Sequence, residues 1–285
     1  MSTRPMLQNS AKSITDGLEI FVMIKQVPIP KEMKTTKEGT MDRSGRSMMN
    51  PHCANALEEA LKLKQQVGGR ITVISMGPPN FEQSLKEALS KGADRAYLLS
   101  DRKLAGSDTW STSEALATMI EHILKEDQST LDVLFAGLQT IDGDTAHVGP
   151  EVAGSLGINQ VTYVEQIEIL DDRYFKVRRV IENGYMILKV PKPVMFSVNK
   201  TANSPRGPGL LASLDAYQAN ITMLSIADIG LPEEKAGAEG SPTVVSRVRN
   251  VTIERGKLTR FDTGRIEDRV DKLLTHIQQP KVVKE

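Results

Sequence analysis

Residues 137–150 have the composition of a phosphate-binding turn between a strand and a helix. They read Gly-Leu-Gln-Thr-Ile-Asp-Gly-Asp-Thr-Ala-His-Val-Gly-Pro, directly after an apolar run. We expect Gly143 to adopt a positive φ in this turn, and Asp144 or Thr145 to cap the helix that follows. A helix start presents free N–H groups and a partial positive charge, which suits a diphosphate. An ordinary capped turn has the same composition, so the motif alone leaves both interpretations open.

A second helix start, Asn-Pro-His-Cys, occupies residues 50–53. Asn is a good N-cap and Pro is favoured at the first helical position, so the stretch indicates either a plain cap or a nucleotide contact. Cys53 lacks a partnered base, which makes it a poor candidate nucleophile. Lys25 ends the first strand and is interpreted either as a counter-charge to phosphates or as a solvated lysine. His147 is likewise either a ligand contact or a solvated first-turn residue.

The sequence argues against several other kinds of site and several other classes of protein. Cys53 is the only cysteine, which excludes internal disulfides and metal sites built from cysteine alone. The four histidines are scattered along the sequence. No Gly-x-x-x-x-Gly-Lys-Ser/Thr loop is present, and Gly-Pro-Gly-Leu-Leu-Ala at 207–212 lacks the strand–turn–helix context of a dinucleotide motif. Lys+Arg and Asp+Glu are both 36, so nucleic-acid binding is disfavoured. The absence of a long apolar run or secretory-type start predicts a cytoplasmic protein without membrane insertion.

Strands alternate with helices through the first part of the chain, which predicts a parallel sheet with right-handed crossovers. The expected strands are 18–25, 71–76, 96–99 and 132–136, and the expected helices begin near 51, 81, 112 and 144. Ligands of such sheets bind outside the carboxyl ends of the strands, near a switch in strand order. Residues 25–28, 76–79 and 137–150 all follow strand ends, so we expect them to line one crevice.

The pattern changes after Gly157. Strand-like runs at 161–170, 175–181 and 186–190 are joined by short turns and predict a small antiparallel extension, and 194–198 predicts a further strand. The sequence therefore predicts three parts: a flexible extension over 1–17, an α/β Rossmann-like domain over 18–198, and a C-terminal docking loop and arm over 199–285. The arm contains a predicted amphipathic helix near 265–278, which we expect to pack on the main domain or on a partner.

Several segments together resemble the beta (small) subunit of electron-transfer flavoprotein. The matching stretches are Val-Met-Ile-Lys-Gln-Val-Pro at 22–28, Met-Asn-Pro-His-Cys at 49–53, Ser-Met-Gly-Pro at 75–78, Lys-Gly-Ala-Asp-Arg-Ala at 91–96, residues 137–150, and Asn-Ser-Pro-Arg at 203–206. The likeness extends from Leu18 through almost the whole chain. It implies an adenine-nucleotide-binding fold and a role in electron transfer with a larger alpha subunit.

The resemblance also implies a cofactor and partners. The form Asp-Gly-Asp-Thr-Ala-x-Val-Gly-Pro at 142–150 resembles the two-FAD branch of the family, in which electrons from NADH are bifurcated. The implied partners are the alpha subunit, a flavin dehydrogenase of high potential, and a low-potential acceptor such as ferredoxin or flavodoxin. The flavin would carry the redox chemistry, so no catalytic residue is assigned and enzymatic activity is expected only within a complex.

The resemblance implies two sets of site residues. The predicted nucleotide contacts, together with Lys25 from its position, are Met23, Lys25, Asn50, Pro51, His52, Cys53, Met76, Thr140, Ile141, Asp142, Gly143, Asp144, Thr145, Ala146, His147, Val148, Gly149, Pro150 and Glu151. The predicted dehydrogenase-docking residues are Pro205, Arg206, Leu210, Leu211 and Leu214. Two alternatives stay open: a one-flavin carrier whose beta subunit holds structural AMP and serves acyl-CoA-type dehydrogenases, and a nucleotide-binding regulatory module without a redox role. An adenylating enzyme is disfavoured because no Ser-Gly-Gly type loop follows the first strand.

Overall fold

The computed structural model describes residues 13–29, 34–35, 41–42, 45–244 and 259–278. Its strands are β1 (Leu18–Met23), β2 (Gln26–Pro28), β3 (Lys34–Thr35), β4 (Met41–Asp42), β5 (Ser47–Met49), β6 (Gly69–Met76), β7 (Arg95–Leu99), β8 (Val133–Gly137), β9 (Asn159–Ile169), β10 (Tyr174–Ile181), β11 (Gly184–Pro191), β12 (Val194–Val198) and β13 (Thr222–Leu224). Its α-helices are α1 (Pro51–Val67), α2 (Glu82–Lys91), α3 (Thr109–Glu126), α4 (Val148–Leu156), α5 (Leu210–Gln218) and α6 (Ile266–Gln278).

Nine strands form one large sheet in the order β11-β10-β9-β12-β8-β1-β6-β7-β13. The seven strands from β9 to β13 in that order are mutually parallel, and β10 and β11 extend the sheet as an antiparallel hairpin. The predicted parallel α/β fold with a small antiparallel extension is therefore confirmed. The chain runs from β1 outward through β6 and β7, then returns to place β8 on the other side of β1. Strand order thus switches between β1 and β8.

Two apolar clusters cover the two faces of the sheet. One contains side chains of α1 and α2, such as Leu57 and Leu85, packed on outward residues of β1 and β6. The other contains side chains of α3 and α4, such as Met119 and Val152, packed on the opposite face. Because alternate strand residues point to opposite faces, a strand buried on both sides is apolar at every position, as β8 is.

Local signals fix the ends of the helices. Asp108 accepts a hydrogen bond from the Ser111 N–H at 3.0 Å and so caps α3. Gly92 ends α2 and Gly157 ends α4 in the left-handed conformation, which glycine adopts without a steric penalty. α4 begins at Val148 rather than near residue 144, so the loop after β8 is longer than the sequence suggested.

The segments outside the predicted central domain also contain ordered structure. Ile14 is fully buried and its N–H donates to the Asp172 carbonyl at 3.1 Å, so residues 13–17 pack on the sheet. Residues 199–244 bond α1 through Arg206, add β13 to the sheet edge next to β7, and then contribute residues such as Ile226 and Leu231 to the cluster with α3 and α4. They include α5, which the sequence analysis took for loop, because its apolar side chains point outward. The predicted domain boundaries remain predictions.

The chain divides into two compact units, residues 1–248 and 249–285. α6 belongs to the second unit, and each of its side chains is at least partly exposed. Among the helices of the described residues, none has the length and the hydropathy needed to cross a membrane.

Candidate functional site

The candidate site lies at the carboxyl ends of β1 and β8, where strand order switches. Parallel strands leave a crevice at such a point, because the connections from the two neighbouring strands diverge to opposite faces of the sheet. Residues 24–25 follow β1, residues 138–147 follow β8, and residue 199 begins the segment after β12. The predicted site loop therefore lies at the edge where ligands of this fold class bind.

Asn50 joins three segments of this edge. Its N–H donates to the Lys25 carbonyl at 2.8 Å, which holds the start of α1 to the end of β1. Its side-chain amide donates to the Gln139 carbonyl at 2.9 Å and accepts from the Ile141 N–H at 3.3 Å. The Asn50 side chain makes no capping hydrogen bond to α1, so its role is to fix the loop after β8. This residue is fully buried, and its contacts tie the two predicted phosphate segments together.

Lys25 and Asp142 form an ion pair across the crevice, with 2.9 Å between Nζ and Oδ1. The Asp142 side chain is only 2 % exposed, whereas that of Lys25 is 36 % exposed. Asp142 also accepts a hydrogen bond from the Gly143 N–H at 2.9 Å. The carboxylate thus stabilises its own turn and orients the lysine, instead of facing an incoming anion as a free negative charge.

Two non-glycine residues of the loop have left-handed backbone conformations. Asp144 has φ 55° and Ala146 has φ 57°, whereas Gly143 is not in that region. The prediction that Gly143 supplies the positive φ is therefore wrong. The turn is closed instead by the Asp144 N–H, which donates to the Thr140 carbonyl at 2.9 Å. A left-handed alanine is unfavourable by about 1–2 kcal/mol, and strain of this kind concentrates at binding sites.

The α4 start faces this loop without a side-chain cap. The prediction that Asp144 or Thr145 caps this helix is wrong, because α4 begins at Val148 and His147 occupies the N-cap position without a capping hydrogen bond. Gly149 lies against β8: a Cβ there would be 3.1 Å from the Ala136 Cβ, so glycine lets the helix approach the sheet closely. The backbone N–H groups of the first turn are therefore held near the end of β8, in the arrangement that binds phosphate.

The start of α1 presses on the other side of the same strand end. A Cβ on Gly137 would lie 2.6 Å from the His52 carbonyl carbon and 2.7 Å from the Cys53 nitrogen, so only glycine allows this contact. Cys53 is buried, and burial raises the pKa of its thiol. Since a thiol rather than a thiolate is favoured there, Cys53 has a packing role and the nucleophile interpretation is not supported.

His52 is the one predicted contact with an unsatisfied buried atom. His52 as a whole is 9 % exposed, and its Nδ1 atom is buried without a hydrogen-bond partner among the described residues. Burial lowers the pKa of His52, Lys200 lowers it further, and Asp144 opposes both. Lys200 was not predicted as a site residue, because the sequence does not reveal that β12 lies beside β8.

The remaining predicted contacts lie in three places. Met23 and Met76 end β1 and β6 at the same edge. Pro51 is exposed at the first position of α1. Glu151 accepts hydrogen bonds from the α3 hydroxyls of Thr109 and Ser113, at 3.2 and 3.0 Å, so its carboxylate is already engaged with that helix. Val148 packs in the cluster with α3 and α4. The last four predicted contacts belong to the loop after β8 or to the start of α4: Thr140, Ile141, Thr145 and Pro150.

The predicted docking segment consists of a fixed loop followed by α5. Arg206 donates to Glu58 of α1 through its backbone N–H and its guanidinium, at 3.0 and 2.9 Å. Asn203 bonds the same helix through Asn55. Pro205, between them, is exposed. The apolar side chains of α5 then face outward, and the most exposed are Leu210 at 82 %, Leu211 at 75 %, Leu214 at 59 % and Tyr217 at 79 %.

Comparison with known proteins gives a consistent match. The electron transfer flavoprotein domain family matches residues 38–229. The chain is 41 % identical over 271 residues to the electron transfer flavoprotein subunit beta of Thermoanaerobacterium thermosaccharolyticum, covering 93 % of this chain and 100 % of the relative. It is 44 % identical over 233 residues to subunit CarD of the caffeyl-CoA reductase-Etf complex of Acetobacterium woodii, covering 81 % and 87 %. It is 40 % identical over 272 residues to protein FixA of Azorhizobium caulinodans, covering 93 % and 96 %.

Proposed function

The chain belongs to the electron transfer flavoprotein family as a beta subunit, and from that premise we propose that it binds FAD in the crevice between β1 and β8. The proposed heterodimer, formed with an alpha subunit in the cytoplasm, takes electrons from NADH. It bifurcates them between a high-potential flavin dehydrogenase and a low-potential acceptor such as ferredoxin or flavodoxin.

The observation that carries the nucleotide proposal is the uncapped start of α4 behind a strained loop at the switch point. In that loop Asp144 and Ala146 are left-handed, and the α4 start lacks a side-chain cap. The Nδ1 of His52, at the neighbouring helix start, is buried and has no hydrogen-bond partner in the described part of the chain. Unsatisfied donors and strain in one crevice are what a diphosphate ligand would compensate.

The residues present fit a dinucleotide. The α4 N–H groups would hold the diphosphate, and Lys25 would offset part of its charge while Asp142 keeps that lysine in place. Asn50 would fix the loop so that these donors need no reorganisation when the nucleotide binds. FAD supplies the redox chemistry when bound, and the chain supplies binding, orientation and electrostatics.

The choice of FAD over AMP rests on the form of the loop. Residues 142–150 have the Asp-Gly-Asp-Thr-Ala-x-Val-Gly-Pro form that resembles the two-flavin branch. A relative with 44 % identity is, by its name, a subunit of a reductase–Etf complex. Both points support a subunit that works in a larger electron-transfer complex.

A cofactor count of the purified heterodimer tests this proposal. We expect two FAD per heterodimer by absorbance after release, and bleaching of both on addition of NADH. One FAD with one AMP would replace the proposal with a one-flavin carrier. A colourless preparation that retains an adenine nucleotide would instead favour the regulatory module.

The alpha partner is supported by the exposed apolar side chains of α6. Five of them, which recur at helical spacing, are between 42 % and 68 % exposed: Ile266, Val270, Leu273, Leu274 and Ile277. Apolar surface of this kind usually marks an interface. We expect the chain to aggregate or lose its cofactor when it is expressed alone, and to become well behaved on co-expression. A cofactor-loaded monomer by light scattering would contradict the heterodimer.

A further inference from the structure

A pocket of about 390 Å³ opens beside the start of α3 and is separate from the predicted nucleotide contacts and docking residues. Trp110, the only tryptophan of the chain, lies in it at the second position of α3 and is 50 % exposed. A large aromatic side chain that stays exposed in a pocket is typical of an interaction site. We call this site the Trp110 pocket, and its principal side chains are Trp110, Glu114, Glu234, Lys235, Glu239 and Pro242.

The wall of the Trp110 pocket is fixed by contacts with the start of α3. The Asp108 carboxylate accepts from the N–H and the hydroxyl of Thr243, at 3.0 and 2.7 Å. The Asp108 N–H donates to the Ser241 hydroxyl at 2.8 Å. A Cβ on Gly240 would lie 2.1 Å from the Lys235 carbonyl carbon, so only glycine allows this turn to close. The pocket is therefore preformed, and a side chain that enters it meets little cost of reorganisation.

The lining of the Trp110 pocket has an excess of negative charge. Three glutamates and one lysine line it, which gives a surplus of two negative charges. Glu114 lies one helical turn from Trp110, and its carboxylate is 3.9 Å from the Lys235 Nζ. Glu234 and Glu239 are exposed and have no ion-pair partner in the part of the chain that the structure describes. The pocket therefore attracts a cation and repels an acidic ligand.

The combination of an indole ring and carboxylates selects the kind of cation. Within the described ranges, no group of three or more His, Cys, Asp or Glu side chains is placed to hold a metal ion, so an organic cation fits better. A guanidinium stacks flat on an indole and donates paired hydrogen bonds to a carboxylate. An ammonium group has neither the flat surface nor the paired donors. The chemistry of the pocket therefore fits an arginine side chain.

The position of the Trp110 pocket in the fold indicates which protein supplies this arginine. α5 packs on α2, which covers one face of the sheet, whereas α3 covers the other face. A dehydrogenase docked on α5 would approach the first face, which leaves the pocket to a different protein. The pocket wall continues along the chain into the arm that carries α6, whose exposed apolar side chains support the alpha partner.

We propose that the Trp110 pocket receives an arginine side chain of the alpha subunit. This inference rests on the proposed heterodimer and names a part of its interface. The indole ring would stack on the guanidinium, and Glu234 and Glu239 would accept its hydrogen bonds.

Photo-crosslinking of the full heterodimer tests which molecule fills the pocket. p-Benzoylphenylalanine in place of Trp110 puts a photoreactive ketone in the pocket, and mass spectrometry identifies the residue that it joins. We expect a cross-link to the alpha subunit, close in sequence to an arginine.

Substitutions in the heterodimer test the chemistry of the contact, with the dissociation constant measured by sedimentation of a dilution series. Trp110→Leu keeps an apolar side chain but loses the aromatic face, and should raise the constant about tenfold. Glu234→Gln and Glu239→Gln should each raise it about threefold and make it less sensitive to salt. Glu182→Gln is the matched control: it removes the same charge from the exposed turn between β10 and β11, and should leave the constant unchanged.

The outcomes separate this inference from the proposed function. If the wild-type chain forms no heterodimer with an alpha subunit, the proposed function itself is wrong. If the heterodimer forms and holds its nucleotide, but no pocket variant changes the dissociation constant, the inference alone is overturned. A cross-link to the chain's own arm, or only to an added dehydrogenase, would also overturn it. An equal effect of Glu182→Gln would indicate a general charge effect and would overturn the role given to Glu234 and Glu239.

Discussion

The parallel strands begin at one side of the sheet, here called the amino edge, and end at the other, the carboxyl edge. Charged side chains are arranged differently at these two edges. At the amino edge, the Arg70 guanidinium donates three hydrogen bonds to Glu19 and also pairs with Asp127 at 3.0 Å. Arg95 adds a second contact to the same Asp127. These arginine contacts lower the pKa of Asp127, since they favour its charged form. Every charge of this cluster has a partner, so the amino edge is a closed structural network.

The carboxyl edge is left open by comparison. Among the described residues, the α4 start has no side-chain cap, two non-glycine residues are left-handed, and a buried nitrogen of His52 has no partner. The Lys25–Asp142 ion pair at this edge also leaves the lysine partly exposed. The difference teaches that the charged groups of the cluster at the start of the strands are paired with one another, whereas the end of the strands holds an uncapped helix start and strained loop residues. Mutations at the two edges should therefore have separable effects.

The largest expected effect is on stability, at the amino edge. Lys192 and Asp132 form an ion pair of 2.7 Å with both side chains 3 % exposed. Lys192→Met should destabilise the subunit by about 3–5 kcal/mol, because it leaves the Asp132 carboxylate buried without its cation. Urea unfolding of the heterodimer measures the change. The nucleotide affinity of the molecules that remain folded should not change.

Lys176→Met is the matched control for that experiment. Lys176 pairs with Glu168 at 2.9 Å on the surface, where both side chains are about half exposed. An exposed pair contributes about 0–1 kcal/mol, so its loss should barely move the unfolding midpoint. Equal destabilisation by the two substitutions would show that the amino edge is not a special stabilising network.

The next effect is on the nucleotide, at the carboxyl edge. Gly137→Ala should reduce nucleotide affinity more than about tenfold, because the new Cβ would force the α1 start away from β8. Gly143→Ala is the contrasting variant. Its φ is ordinary and the nearest atom to a new Cβ is the Thr140 Oγ1 at 3.6 Å, so affinity should change less than about twofold.

Equilibrium dialysis with AMP, beside a melting curve, distinguishes these two glycines. If Gly143→Ala loses the nucleotide and Gly137→Ala keeps it, the loop after β8 would have to be bound in a conformation other than the one described here. Loss in both variants with unchanged melting would mean that the whole loop reorganises around the ligand.

The contrast between the edges also shows what the sequence could predict. Alternating strands and helices predicted the parallel sheet, and the composition of residues 137–150 predicted the site loop because a turn motif of this kind is local in sequence. The left-handed conformations of Asp144 and Ala146 were not predicted, because residues other than glycine rarely adopt them and the sequence pattern assigned that role to Gly143. Lys200 was missed because its proximity to His52 depends on strand order, which single-sequence patterns do not encode.

α5 was missed for a different reason. A helix is detected from sequence by an apolar stripe that faces the core, and only Ala216 of α5 is buried. Leu210, Leu211 and Leu214 are apolar but point outward, so their pattern was interpreted as a loop with an apolar anchor. The same outward orientation suits the docking role predicted for this helix, which packs on α2 rather than at either edge.

Leu210→Ala tests whether this third region acts independently of both edges. Leu210 is 82 % exposed, so its loss should leave unfolding and flavin content unchanged. We expect the apparent affinity for the partner dehydrogenase to fall by about 1–3 kcal/mol, measured from the rate of electron transfer at subsaturating dehydrogenase. Gln218→Ala, also exposed on α5, is the control and should leave the rate as it is. An unchanged rate in Leu210→Ala would remove α5 from the docking surface.

The smallest expected effect concerns the strain in the loop itself. Ala146 has φ 57°, a conformation that costs alanine about 1–2 kcal/mol but glycine little. Ala146→Gly should therefore raise the stability of the nucleotide-free heterodimer by up to about 1 kcal/mol, since relief of strain exceeds the added entropy of the unfolded chain. Ala212→Gly, in the ordinary helical backbone of α5, should lower stability by about 0.5–1 kcal/mol. Nucleotide affinity should fall slightly in Ala146→Gly, because a more flexible loop must be ordered on binding.

Opposite signs in the two unfolding experiments would establish that the carboxyl edge stores strain, whereas destabilisation by both would mean that Ala146 is not held in the left-handed region in solution.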